Sequence, residues 1–153
     1  MADGIKANLS NLAVYIVPRI INAGGIRQEE LHVGISKDDT EGSPGSPCMR
    51  MSQIGYWRFR RTLNAGTRAF QINVKQAANQ SPRPSVIIRK NLSMGINSDI
   101  TIIAPSDTGW VVVGPQTISV TNQGFVWIEL HNNYETYPPT APAYCYWDHV
   151  VVT

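Results

Sequence analysis

The sequence predicts an all-β fold, a sandwich or barrel of short strands, and three observations lead there. From residue 42 onward, apolar and polar residues alternate with period two, the repeat of a strand with one buried face. Turn residues interrupt that alternation about every 8–12 residues, the spacing of sandwiches and barrels. No window of a dozen residues shows a convincing helical period.

Taken in order, Leu12–Val17 reads as a strand whose ladder Pro18 stops, because proline has no N–H to donate. Ile20–Gly25 then leads to a second apolar piece, Leu31–Ile35, and Arg27–Leu31 makes one helical turn at most. Residues 1–41 are expected to be either the first strands or an extended arm, and residues 42–153 the sandwich. Asp38–Pro47 is a polar loop rich in Gly, Ser and Pro. Trp57, Phe59 and Leu63 alternate with Arg58, Arg60 and Thr62, and Asn64-Ala65-Gly66 makes a turn into the strand Phe70–Lys75. Further strands are expected at Val86–Ile88, Ile100–Ile103, Trp110–Val113, Thr117–Val120, Phe125–Leu130 and Tyr144–Val152. Ser81–Pro84, Ser106–Gly109, Gly114-Pro115 and Asn122–Gly124 separate them as turns. The residues expected to face inward are Phe70, Ile72, Val74, Trp110, Val112, Ile118, Val120 and Val150. Trp57, Trp110, Trp127, Trp147, Tyr56 and Tyr146 are rings that could stack on a sugar, but Trp110 and Trp127, large aromatics inside otherwise apolar strands, are expected in the core.

At 153 residues the chain suits one domain able to bury a core without staples. Charged residues make up only 16 %, while 12 glycines and 10 prolines fit many strands joined by turns. The N-terminus lacks a basic region followed by an apolar run, and no stretch reaches membrane-spanning length. A soluble protein made in a cytosol, with no signal peptide and no membrane partner, is the expectation. Cys48 and Cys145 have no metal-ligand spacing. They read as two small buried residues, with a bridge between an early strand and the last one as the alternative.

The net charge of +2 hides a segregation along the chain. Residues 42–98 hold nine cations (Arg50, Arg58, Arg60, Arg61, Arg68, Lys75, Arg83, Arg89 and Lys90) and no carboxylate. Residues 91–153 hold five acids (Asp99, Asp107, Glu129, Glu135 and Asp148) and no Lys or Arg. Cross-strand pairing within the sandwich is one reading. Docking of a basic face on an acidic neighbour is a second. Nucleic-acid binding ranks last, since no recognition motif accompanies the charge.

No catalytic motif is present, and His32, His131 and His149 lie on different segments, so the protein is read as no enzyme. The Glu129/His131 spacing marks a solvated strand face rather than a metal site, and no cofactor is implied. Tyr146 and Trp147 face opposite sides of the closing strand, so one of them points away from the core. Tyr134 and Tyr137 sit on the proline-stiffened loop Tyr134–Pro142, which loses little entropy on binding. With Arg58 and Arg60, these four aromatics are the candidate binding residues.

Several motifs carry a resemblance over residues 42–153. Gly45–Met51 resembles the Gly-Ser-x-Ser-Leu-Arg strand of the jelly-roll modules related to carbohydrate-binding and galactose-binding-like domains. Leu63–Phe70 resembles their Leu-x-Ala-Gly-x-x-Tyr turn and strand, Asp107–Trp110 their late loop and Trp, and Tyr146–Val150 their closing aromatic-aromatic-Asp-Asp-Val strand. The resemblance implies an antiparallel two-sheet jelly-roll sandwich. His149 stands where the family's second carboxylate lies, so the oxygen set for a structural calcium is reduced to Asp148 and no metal is expected. Modules of this kind also occur in tailed-phage virions. The expectation is therefore a bacteriophage virion protein, a non-enzymatic capsid decoration or auxiliary subunit made in the host cytoplasm. Its partners would be the major capsid or other virion proteins and further copies of itself, reached through the residue 1–41 arm and the charged faces. The alternative is a carbohydrate-binding module that recognises a polysaccharide through exposed aromatics.

Overall fold

A computed structural model describes residues 5–7, 31–38, 48–76, 82–132 and 144–153. Nine strands account for most of them: β1 (Ile5–Ala7), β2 (Leu31–Asp38), β3 (Cys48–Leu63), β4 (Gly66–Gln76), β5 (Ser85–Ile88), β6 (Ile100–Ile103), β7 (Val111–Val120), β8 (Gly124–Asn132) and β9 (Cys145–Val152). The one helical element among the described residues is a 3-10 turn at Leu92–Met94, so none is long and apolar enough to cross a membrane. Every strand pair is antiparallel.

The hydrogen-bonded path runs β6-β5-β8-β3-β9-β4-β7, with β1 added beside β9 and β2 beside β3. The path folds into two layers because β3 changes partner halfway along. Gly55–Leu63 pairs with β8 in a front sheet, whereas Met49–Met51 pairs with β9 in a back sheet. Between Val33 and Ile35 of β2 the register on β3 jumps from Tyr56 to Met51, so residues 52–55 form the corner. Gly55 is buried there, and a Cβ on it would overlap the Met51 side chain and lie 2.6 Å from the Ser52 carbonyl. The buried Asn132 amide closes the corner by donating to Met51 O at 3.1 Å and Ser52 O at 2.9 Å.

One core lies between the layers. Trp57, Phe59, Leu63, Val86, Ile88 and Ile128 enter it from the front sheet, and Phe70, Ile72, Val74, Ile118, Trp147 and Val150 from the back sheet. Two expectations need correction. Gly114-Pro115 is no turn between strands but an extra step inside the continuous β7, where Gly114 takes φ +99° and the register on β4 shifts between Phe70 and Ile72. Val112 faces solvent at 50 % exposure, because it pairs with the outward Asn73, while Val113 pairs with the inward Ile72. Trp110 precedes β7 and is half-buried.

Strands β1 and β2 join the sandwich by pairing with β9 and β3. The expected boundary at residues 41 and 42 and the strand Leu12–Val17 lie outside the described residues. Both cysteines are buried thiols that form no disulfide. Cys145 pairs with Met51, three positions from Cys48, an offset of roughly 10 Å along a strand that rules out the bridge. Burial holds the Cys145 thiol well above the ordinary thiol range, against a smaller opposing hydrogen bond with Trp147.

Candidate functional site

Side-chain parity assigns one set of residues to the outer face of the front sheet. Tyr56, Arg58 and Arg60 of β3 stand opposite His131, Glu129 and Trp127 of β8. Ser85 and Ile87 of β5 stand opposite His131 and Glu129 on the other side, and Thr101 and Ile103 of β6 continue the rows. Arg89 and Asp99 flank the ends of β5 and β6.

The β3 and β8 side chains form a staircase. Arg58 lies 3.9 Å over the ring of Trp127, and Arg60 lies 4.1 Å over Phe125 and 5.9 Å from Trp127. Each guanidinium leans one step along β3 from its own cross-strand partner, so cations and ring faces alternate along the row. Phe125 remains 53 % exposed. Trp127 therefore faces outward, contrary to the expected core role, because it is opposite Arg60 while its neighbours Val126 and Ile128 fill the interior.

Beside the staircase sits a polar network around Glu129. Arg89 donates to Glu129 Oε1 and to Asp99 Oδ2, each at 2.6 Å, and His131 Nε2 lies 3.1 Å from Glu129 Oε1. Arg58 Nε stands 3.7 Å from Glu129 Oε2. These pairs join the basic and acidic halves of the chain, which is the cross-strand reading of the charge segregation. Burial pushes the Glu129 carboxyl up, but hydrogen bonds from Arg89 and His131 outweigh it and hold the group below the usual carboxylate range. Tyr56 is pushed up to about 12 by burial and by Glu129, and its ring meets His131 edge-on at 5.0 Å. Asp99 is lowered by the Lys90 backbone N–H and by Arg89.

Of the residues singled out in the sequence, Arg58 and Arg60 come together on this face. Trp147 does not join them: it is fully buried in the core and offers no surface to a ligand. Tyr146 lies on the opposite side of β9, between Arg50 and Lys75 on the back sheet, and is 8 % exposed. Tyr134 and Tyr137 lie outside the described residues. Sequence reasoning missed Phe125 and Arg89 as site residues, and it assigned Trp127, one of the rings able to stack on a sugar, to the core. The signal was parity, since Phe125 and Trp127 share it with the polar Glu129 and His131. Among the described residues no group of three or more His, Cys, Asp or Glu could hold a metal.

No protein-family model matches the chain, and no curated protein does either. Solved structures do match. A Family 16 Carbohydrate Binding Module-2 aligns at TM-score 0.55 and 14 % identity, over 78 % of this chain and 85 % of its own. A family 6 carbohydrate-binding module from Clostridium cellulolyticum in complex with xylose aligns at TM-score 0.55 and 12 % identity, over 100 % and 99 %. A family 36 carbohydrate-binding module in complex with calcium and xylotriose aligns at TM-score 0.52 and 11 % identity, over 97 % and 99 %. The fold is thus the jelly-roll β-sandwich that these modules share.

Proposed function

We propose that this protein is a non-catalytic carbohydrate-binding module that takes a polysaccharide across the outer face of its front sheet. The observation that carries the reading is the row of planar groups along β3 and β8, Arg58, Trp127, Arg60 and Phe125, bordered by Glu129, His131 and Arg89. Flat groups pack on the apolar faces of sugar rings, and the bordering polar groups orient hydroxyls. The fold likeness to carbohydrate-binding modules supports the same reading. It supports the glycan reading over the capsid-docking one, because the three similar structures named above are carbohydrate-binding modules.

Catalysis does not suit the face. A glycosidase needs one carboxyl raised to act as an acid and a second free to act as base or nucleophile. Glu129 is instead held ionised, and both it and Asp99 are bound to Arg89.

Affinity electrophoresis against a panel of neutral and acidic polysaccharides tests the proposal. The protein should be retarded by at least one of them, and the double variant Phe125→Ala/Trp127→Ala should bind about tenfold more weakly or worse, as expected for lost aromatic contact. Unchanged mobility in every polysaccharide would sink the proposal.

A further inference from the structure

We infer that the side of the sandwich where the two ends of the hydrogen-bonded path, β6 and β7, meet holds a second sugar pocket, one that takes a single neutral sugar ring. The inference rests on the glycan reading and adds a subsite to it. The pocket has a volume of about 260 Å³. That is just below the roughly 300–1,000 Å³ of pockets for drug-sized ligands, so its occupant is one ring rather than a chain. Ile96 and Ile118, buried members of the core, and Ile100, packed against it, line the apolar floor. Asn97 and Ser98, both exposed, and Ser119 of β7 form the rim. Branched aliphatic groups pack on the C–H face of a sugar ring, and amide and hydroxyl groups orient its hydroxyls. The Asn97 and Ser98 side chains make no hydrogen bond to any described residue, so their donors and acceptors are open to a ligand.

The lining also sets the charge and the mode of binding. None of the described residues that form it is charged or aromatic, so the pocket selects a neutral ring by fit rather than by stacking. Asp99, between Ser98 and Ile100, is committed elsewhere: its carboxylate accepts from Arg89 at 2.6 Å and from the Lys90 N–H at 2.8 Å. Backbone bonds fix the walls. Asn91 and Ile96 exchange N–H···O bonds at 2.8 and 3.0 Å, Gly95 N donates to Leu92 O at 3.1 Å, and Thr121 N donates to Met94 O at 2.8 Å. The Asn122 amide adds a bond to Ser93 O at 2.9 Å. A preformed wall costs little ordering entropy on binding. Asn91 Nδ2 donates to Phe125 O at 2.8 Å, which ties the same turn to the end of the binding face.

Amide NMR shifts test this as methyl glucoside, methyl galactoside or methyl xyloside is added, with glucuronate as a charged control and glucitol as an open-chain one. At least one glycoside should shift the amides of Ile96, Ser98 and Ser119 to saturation, at least tenfold tighter than either control. Asn97→Ala should weaken that binding about two- to tenfold, the value of a neutral hydrogen bond. Ser98→Trp, at an exposed position on the rim, should abolish the shifts, whereas Phe125→Ala/Trp127→Ala should leave them unchanged. Circular dichroism of each variant reports whether the sandwich persists, and the comparison among probes needs no variant. Weaker retardation of Ser98→Trp by arabinoxylan but not by linear xylan would assign the ring to a side branch, and weaker binding of short xylo-oligosaccharides alone would assign it to a chain end. Shifts confined to the face around Phe125 and Trp127, or equal shifts from glucitol, would overturn the pocket while leaving the glycan reading intact. So would retention on a polysaccharide with no glycoside shift. No retention and no shift would overturn both.

Discussion

Glu129 is ionised in a place where burial alone would neutralise it. Its side chain is 4 % exposed, and the hydrogen bonds from Arg89 and His131 reverse the effect of desolvation. A carboxyl whose folded value lies below its unfolded value, ordinarily 4.5, adds stability above that value and loses it as pH falls through the folded one. Glu129→Gln should therefore cost about 1–3 kcal/mol at neutral pH, because Arg89 and Arg58 lose a charged acceptor. The gap between variant and wild-type Tm should narrow as pH drops below 4.5, with Asp99 retaining part of the acid sensitivity in both. Thermal melts across that range check this, and two parallel Tm curves would exclude it. At the alkaline end, Tyr56 should release its proton only near 12, readable as tyrosinate absorbance that Tyr56→Phe removes. The polar half of this site was legible in part. Arg58, Glu129 and His131 were visible as outward strand residues, but Trp127 was not, because Phe125–Leu130 is apolar at both parities apart from Glu129. Its shared parity with Glu129 and His131 was the one signal in the sequence, and pairing with Arg60 fixes its direction.

The element that organises the molecule is β3, a 16-residue strand that serves both layers. The sequence showed its second half, Trp57–Leu63, by an alternation that only Arg61 breaks. It hid the corner, because residues 52–55 break the period and their role depends on β2, β8 and β9, which are distant in sequence. In the same way β7 looked like two strands, since Gly114-Pro115 is a turn signal by local chemistry and an accommodated extra residue only against the unbroken β4. Asn132 holds the β3 corner from β8, 80 residues away from Ser52 in the chain. Asn132→Ala should strand the carbonyls of Met51 and Ser52 in the interior and cost about 1–3 kcal/mol in urea unfolding. Gly55→Ala should destabilise through overlap with Met51 and Ser52, by displacing β3 rather than by removing a bond. A variant at Asn132 as stable as the wild type would show that the corner carries no buried hydrogen-bond demand.

At the scale of the whole molecule, sharing β3 couples the two sheets. The core cluster runs without a break from Phe59 and Ile88 on the front sheet to Phe70 and Ile118 on the back, and no layer keeps its own hydrophobic interior if the other melts. A single cooperative transition follows, as in most domains of this size. Phe70→Ala on β4 should cost about 3–5 kcal/mol and Ile88→Ala on β5 about 2–5 kcal/mol, the range for truncated buried side chains. Each should lower the same transition for both sheets. Trp57 and Trp147 are both fully buried, one on each side of the β3 corner, so their fluorescence reports the interior from front and back. With three of the four tryptophans replaced by Phe so that Trp57 or Trp147 reports alone, the fluorescence and far-ultraviolet dichroism midpoints should coincide in urea for each core variant. A front-sheet mutation that shifts the Trp57 signal and leaves Trp147 at its original midpoint would mean that the sheets unfold separately. The binding face could then loosen without disturbing the back sheet. Coincident midpoints would instead tie the staircase geometry to the stability of the entire sandwich, so that damage to the back-sheet core weakens ligand binding only as far as it depletes the folded population.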